Sequence, residues 1–297
     1  MRRQVLFTLF CIGLFSWSAV SLRIVCTTTI LGDVVGRIAG EENEQTVLLP
    51  FNADPHAFEP TPADLVAIAR ADVVFLNGAG LEAHLEPILK TSADFIVRLS
   101  DDLDLLYLDD VHHEHDHAEP DPHVWFDPTY VMRWTDRIAD TLADRDPDHA
   151  SAYQARAAVY RGELADLDRW IEEQVSRLPH EDRQLVTDHA VLGYFAARYG
   201  FEQIGTVFPG LSSLSEPSAR GLAALEDAIA AIDLPAIFVG TTVNPSLAEQ
   251  IAADTDTQIV PLYTGSLSEP GGPADSYLKM MHYDVTAIVE GLLGASP

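Results

Sequence analysis

Lysine is nearly absent from this chain. Lys90 and Lys279 are the only two in 297 residues, and with the arginines they make 18 basic groups against 46 acidic ones, a formal net charge of −28. A nucleic-acid partner is excluded on that ground, because neutralising phosphates needs basic surface. Cysteine is scarcer still, with Cys11 and Cys26 alone. A single thiol beyond the N-terminal region closes no internal disulfide, and Cys26, inside the apolar run Ile24-Val25-Cys26, reads as a small buried residue and not as a metal ligand. Long apolar runs are missing too, apart from one from Val5 to Trp17 that is short for a transmembrane helix. His56, His123 and His189 lack the adjacent glutamate of an HExxH helix, the chain has no Gly-x-Ser-x-Gly and no phosphate-cradling glycine loop, and the small polar run Gly210 to Ser215 has no basic residue beside it.

What is present begins with an export signature. Arg2 and Arg3 precede the apolar run, which ends in the small residues Ala19-Val20-Ser21, so residues 1–21 read as a signal peptide cleaved after Ser21 and the mature protein as periplasmic. Cys11 follows Thr8-Leu9-Phe10 within the apolar run, a poor context for lipid attachment, and no lipid anchor is expected. The 47% hydrophobic content supports a full core over roughly two domains. The acidic excess reads as a solvated surface. Its field attracts cations but is screened beyond roughly 8–10 Å, so it aids capture without choosing a metal.

Short β-branched runs alternate with helical patterns. Strands are expected at 22–27, 44–49, 72–77 and 95–99, with helices at 31–39, 62–69 and 81–89; the second half repeats the style with strands at 184–187, 203–208, 236–239 and 258–262. This alternation predicts an α/β fold of two lobes, each a four-stranded, mainly parallel sheet flanked by helices. A shorter helix from Pro128 to Asp144 precedes a long one from about His149 to Leu178. The latter carries Tyr153, Ala157, Tyr160, Leu164, Leu167, Ile171 and Val175 in steps of four and three, one buried face over about six turns. Such a helix is a rigid strut. The expected organisation is a signal peptide at 1–21, an N-terminal lobe at 22–147 with a His-rich loop at 109–121, a linking helix at 148–179 and a C-terminal lobe at 180–297.

Three histidine-bearing segments stand out: Asp54-Pro55-His56, Asp121-Pro122-His123 and Thr187-Asp188-His189. Proline's fixed φ and missing N–H hold the following residue on stiff, non-helical backbone, so the first two imidazoles are aimed before an ion arrives. Ligands of open α/β folds sit beyond the carboxyl ends of strands, and all three segments can face one cleft there. Three neutral imidazoles suit zinc, with copper and nickel as competitors and manganese less favoured. Asp188 is a candidate to hold an imidazole N–H, and Asp54 and Asp121 are candidates either to do the same or merely to cap a turn before proline. His112, His113, His115 and His117, mixed with acidic residues, read either as a plain solvated insert or as a weak zinc-collecting arm.

These segments resemble the zinc and manganese solute-binding proteins of ABC-type uptake systems, whose two lobes are joined by a rigid helix. The likeness is carried by Thr28 to Asp33 (TTILGD), Asp54 to Leu65 (DPHAFEPTPADL), Ala71-Asp72 with Asn77-Gly78, Asp121 to Pro128 (DPHVWFDP), His189 to Gly200 (HAVLGYFAARYG), Glu216-Pro217-Ser218 and Ser276 to Val285 (SYLKMMHYDV). It implies His56, His123 and His189 as metal ligands, an ABC permease and its ATPase as partners, a monomeric receptor and no enzymatic activity. It also implies zinc over manganese, since the third ligand is commonly Glu in manganese members and His, as at His189, in zinc members. One departure stands at Gly265, in Tyr263-Thr264-Gly265-Ser266, where many relatives carry a ligating Asp. That leaves the fourth position to water, the preferred reading, or to a carboxylate such as Asp188 or Glu216. Two other classes compete. Three histidines and a water also make a hydrolytic zinc site, and the same fold serves adhesins or metallochaperones that feed no transporter.

Overall fold

In the computed structural model, which describes residues 21–108 and 119–294, the β-branched runs become two separate parallel sheets. β1 (Arg23–Cys26) leads into α1 (Thr29–Ala39), capped by the Thr28 side chain, which accepts from the Leu31 N–H. β2 (Glu44–Val47) precedes α2 (Pro62–Arg70), where Thr61 and Asp64 form a reciprocal capping box and Pro62 occupies the first turn. β3 (Val73–Leu76), buried along its whole length, is followed by α3 (Glu86–Ser92) and β4 (Ile96–Arg98). The order is β2-β1-β3-β4, all parallel. Central strands buried on both faces are why the sequence there is continuously apolar.

A two-stranded antiparallel ribbon, β5 (Tyr107–Leu108) with β6 (Glu119–Pro120), precedes the antiparallel pair α4 (Pro128–Arg145) and α5 (Ala150–Val175). In the second half, β7 (Gln184–Thr187), α6 (Gly193–Tyr199), β8 (Glu202–Thr206), α7 (Ala219–Ile232), β9 (Ala236–Gly240), α8 (Ser246–Thr255) and β10 (Gln258–Leu262) form a sheet of order β10-β9-β7-β8, closed by α9 (Tyr277–Leu292). Among the described residues no helix is long and apolar enough to cross a membrane.

The strut reading of α5 holds. Its 26 residues rise about 39 Å, and the apolar positions named from the sequence are its buried ones. Near its start, Arg156 caps the end of α1 through the Ile38 and Ala39 carbonyls at 2.6 and 2.9 Å. Just past its end, Arg177 pairs with Glu290 of α9 at 2.7 Å. One apolar core continues from β1 through α4 and α5 to β9 and α9, so the lobes share their interior. A smaller cluster of Val25, Ile68, Val74 and Leu89 covers the outer face of the first sheet.

One helix differs from expectation. The segment Leu81 to Leu85 is turn, and α3 starts only at Glu86. The N–H groups of Leu81, Ala83 and Leu85 bond three residues back, to Gly78, Gly80 and Glu82, and Pro87 in the first turn of α3 has no N–H to bond back to Ala83, so the segment closes in tight turns before the helix starts. The proposed signal peptide and the four histidines of the His-rich segment lie outside the described residues.

Candidate metal centre

His56, His123 and His189 come from three loops, each anchored by the aspartate near it. In the turn after β2, Asp54 Oδ1 accepts the His56 N–H at 2.9 Å. Before a short 3-10 turn, Asp121 Oδ1 accepts both the His123 N–H at 2.9 Å and its ring Nδ1–H at 2.8 Å. At the end of β7, Asp188 Oδ1 accepts the His189 N–H and its ring Nδ1–H, while Oδ2 accepts the Gly240 N–H of β9. Asp121 and Asp188 are therefore imidazole partners. Asp54 is a turn cap, and its other oxygen takes the Ser213 hydroxyl of the C-terminal half.

With Nδ1 of His123 and His189 protonated against carboxylates, Nε2 of each carries the lone pair. Those atoms converge: His56 Nε2 lies 3.2 Å and His189 Nε2 3.3 Å from His123 Nε2. Three nitrogens bonded at about 2.0–2.1 Å to one tetrahedral ion would stand about 3.3–3.4 Å apart, so the spacing is that of a ligand set. Among the described residues this is the one group of three or more His, Cys, Asp or Glu side chains placed to share an ion. The space they enclose, about 10 Å³, admits a single ion or water.

His123 and His189 are buried and His56 partly so. Burial, with His123 and His189 adding to it, pushes the His56 imidazole down to about 2. Burial also lowers His123, outweighing the opposing pull of Asp121. Neutral imidazoles are the metal-ready form.

Gly265, Thr264, Thr242 and Val191 face the same small space from the C-terminal half. The Trp125 indole N–H donates to the Thr264 carbonyl at 3.2 Å, and its ring stands edge-on to His123 at 5.3 Å. Neither candidate carboxylate completes the set. Both oxygens of Asp188 are engaged as above, and Glu216 is an exposed residue that does not line the space. Thr242 was not legible from the sequence, since a threonine pair after a strand has no distinguishing pattern. In front of His56 a wider cavity of about 380 Å³, bordered by Ala79, His84, Glu119 and Leu211, opens toward solvent.

A model of the family described as zinc-uptake complex component A, periplasmic, matches residues 24–291. The chain belongs to this ZnuA family. It is therefore a periplasmic-type metal-binding receptor of ABC uptake systems and not an enzyme. Among ZnuA-family relatives, it is 37% identical over 273 residues to the manganese-binding lipoprotein MntA of Halalkalibacterium halodurans, covering 91% of this chain and 88% of that one. It is 27% identical to the manganese ABC transporter substrate-binding lipoprotein PsaA of Streptococcus pneumoniae, covering 93% and 90%. Its fold superposes on the periplasmic zinc-binding protein TroA of Treponema pallidum with a TM-score of 0.84 at 27% identity, over 93% of this chain and all of that one. The names of these ZnuA-family relatives divide between manganese and zinc. Two of them are named lipoproteins, whereas residues 1–20 of this chain lie outside the described part.

Proposed function

We propose that this receptor captures one divalent ion on His56, His123 and His189 between its lobes, zinc in preference to manganese, and hands it to an ABC permease driven by its ATPase. The observation that carries this reading is the 3.2–3.3 Å spacing of Nε2 atoms around His123, in which imidazoles alone supply the donors. An all-nitrogen set favours zinc; manganese prefers carboxylate and water oxygens. With no protein carboxylate aimed at the ion, water takes the fourth position. The receptor acts as an exported monomer. Cys11, within the apolar run, is a poor lipid acceptor. The strut α5 restricts the lobes to a small closing motion, so docking on the permease has to loosen the site for release.

The manganese reading rests on a specific observation, the 37% identity to a protein named for manganese. Metal analysis of protein taken from its native compartment, paired with competition titration of zinc against manganese, separates the two. Tighter manganese binding would overturn the zinc preference. Calorimetry on His189→Ala tests the ligand set itself: the expected loss is orders of magnitude in zinc affinity with the fold retained, and wild-type affinity would rule this site out.

A further inference from the structure

The loop between β3 and α3 is more ordered than a connector requires. Gly78, Ala79 and Gly80 follow one another with φ of 83°, 49° and 87°, and Ala79 there occupies a left-handed conformation that residues with a Cβ rarely adopt. The turn is stitched from inside by Glu82, a carboxylate only 4% exposed. Its Oε1 accepts from the Thr27 hydroxyl at 2.7 Å and the Asn77 N–H at 2.8 Å, and its Oε2 from the Gly78 N–H at 3.0 Å. Burial raises the Glu82 carboxyl, and these donors oppose it.

The loop delivers the Asn77 side chain, which is 1% exposed. Its amide Nδ2 donates to the Gly78 carbonyl and to the Pro122 carbonyl, each at 2.9 Å. With carbonyls on both sides, the amide can face only one way. Asn77 Oδ1 has no partner among the described residues, an unfavourable arrangement for a buried amide unless its N–H bonds matter. Pro122 immediately precedes His123, so the bonded carbonyl belongs to the peptide that enters His123. Asp121 fixes the ring from one side and Asn77 fixes the backbone from the other.

We propose that Glu82 and Asn77 are positioning residues for metal binding: Glu82 locks the strained 77–80 turn so that Asn77 holds the Pro122–His123 peptide and sets the direction of His123 Nε2. This inference rests on the three-histidine reading. It differs from a purely structural role, in which the buried network would support the N-terminal lobe without altering how the ion is held.

The test is competition titration with zinc, and absorption spectra of the cobalt(II) complex, on Asn77→Ala, Glu82→Gln, His123→Ala and Thr61→Ala. The last removes the α2 cap, whose side-chain bonds all run between Thr61 and Asp64, and controls for lost stability. Asn77→Ala and Glu82→Gln are expected to bind zinc on the order of 10–100-fold more weakly, as for other groups that orient metal ligands. Their cobalt ligand-field bands should shift, while Thr61→Ala keeps wild-type affinity and bands. If Glu82→Gln does not fold, Thr27→Val, which removes one of the three donors, carries the comparison with a smaller loss. Wild-type affinity and an unshifted cobalt spectrum in Asn77→Ala and the Glu82-side variant overturn the positioning role alone. A His123→Ala protein that binds like wild type overturns the three-histidine reading, and this inference with it.

Discussion

Gly265, from the C-terminal half, packs against the ring of Pro55, from the N-terminal half, so closely that a Cβ at Gly265 would lie 2.8 Å from Pro55 Cδ and 3.3 Å from Pro55 Cγ. Pro55 immediately precedes His56. The position where the family resemblance leads one to expect a ligating aspartate is therefore a contact surface that lets the lobes meet, and any side chain there pushes on the loop that aims His56.

It follows that Gly265→Ala destabilises the metal-free protein by about 1–3 kcal/mol, the usual cost of overpacking. Thermal melts of the two proteins measure this. An unchanged midpoint would mean that Pro55 yields freely and that the close contact does not constrain the lobes. Gly265→Asp should show the same loss without metal and, because it adds an oxygen donor, narrow the preference for zinc over manganese in competition titration.

Much of this architecture was legible beforehand because it rests on local periodicity. The buried face of α5 follows from apolar residues three and four apart, and the strands from β-branched runs bounded by turn residues. The convergence of His56, His123 and His189 was legible for a different reason, since ligands of open α/β folds gather beyond the carboxyl ends of strands and the family resemblance puts all three on one ion. The three aspartates show where such reading stops. Asp54 and Asp121 stand in the same Asp-Pro-His tripeptide, yet Asp121 holds its imidazole and Asp54 reaches Ser213, 159 positions away. The bond of Glu82 to Thr27, at a distant strand end, is hidden from local reading in the same way. Pairings across the lobes depend on tertiary geometry that no local pattern encodes.

Asp188→Asn should weaken zinc binding on the order of 10–100-fold while leaving the fold in place, because the carboxylate that fixes the His189 tautomer loses its charge. Its bond to the Gly240 N–H survives as long as the Asn oxygen takes that side, leaving the amide N–H₂ to face His189 Nδ1 and the His189 backbone N–H, which loses its acceptor. The ring is then driven to the tautomer with Nε2 protonated, which cannot ligate. Calorimetric titration decides it, and an affinity equal to wild type would mean that Asp188 acts only as a backbone cap.

The segment with His112, His113, His115 and His117 lies just before Glu119, which borders the cavity in front of His56. If it collects zinc for the site, deleting Val111 to Ala118 slows loading at low zinc without changing equilibrium affinity. Stopped-flow loading measured with a competing zinc dye separates the two quantities, and identical rates would leave the segment as a plain insert.

Acid and alkali should act on this protein through different residues, with opposite sign. His56 is held down to about 2 in the closed fold against an ordinary 6.5. Between those values only the opened or unfolded chain takes the proton, so its contribution is fully present above pH 6.5 and is lost as the pH falls. Asp284, buried in α9, runs the other way. Its Oδ1 accepts the Tyr263 N–H at 2.8 Å, its Oδ2 has no partner among the described residues, and burial pushes the carboxyl up to about 8 from 3.8. The folded form stays protonated while the unfolded chain ionises, so this contribution is whole below pH 3.8. It falls by about 1.4 kcal/mol per pH unit as the pH rises, and is gone above about 8. Asp284→Asn removes the ionisation while keeping an oxygen for Tyr263. Relative to wild type, the metal-free variant should therefore gain stability steadily from pH 5 to 8 and then level off. Thermal melts across that range read the difference directly: a constant offset at every pH would mean that Asp284 is ionised within the fold, with a cation partner for its second oxygen still to be found.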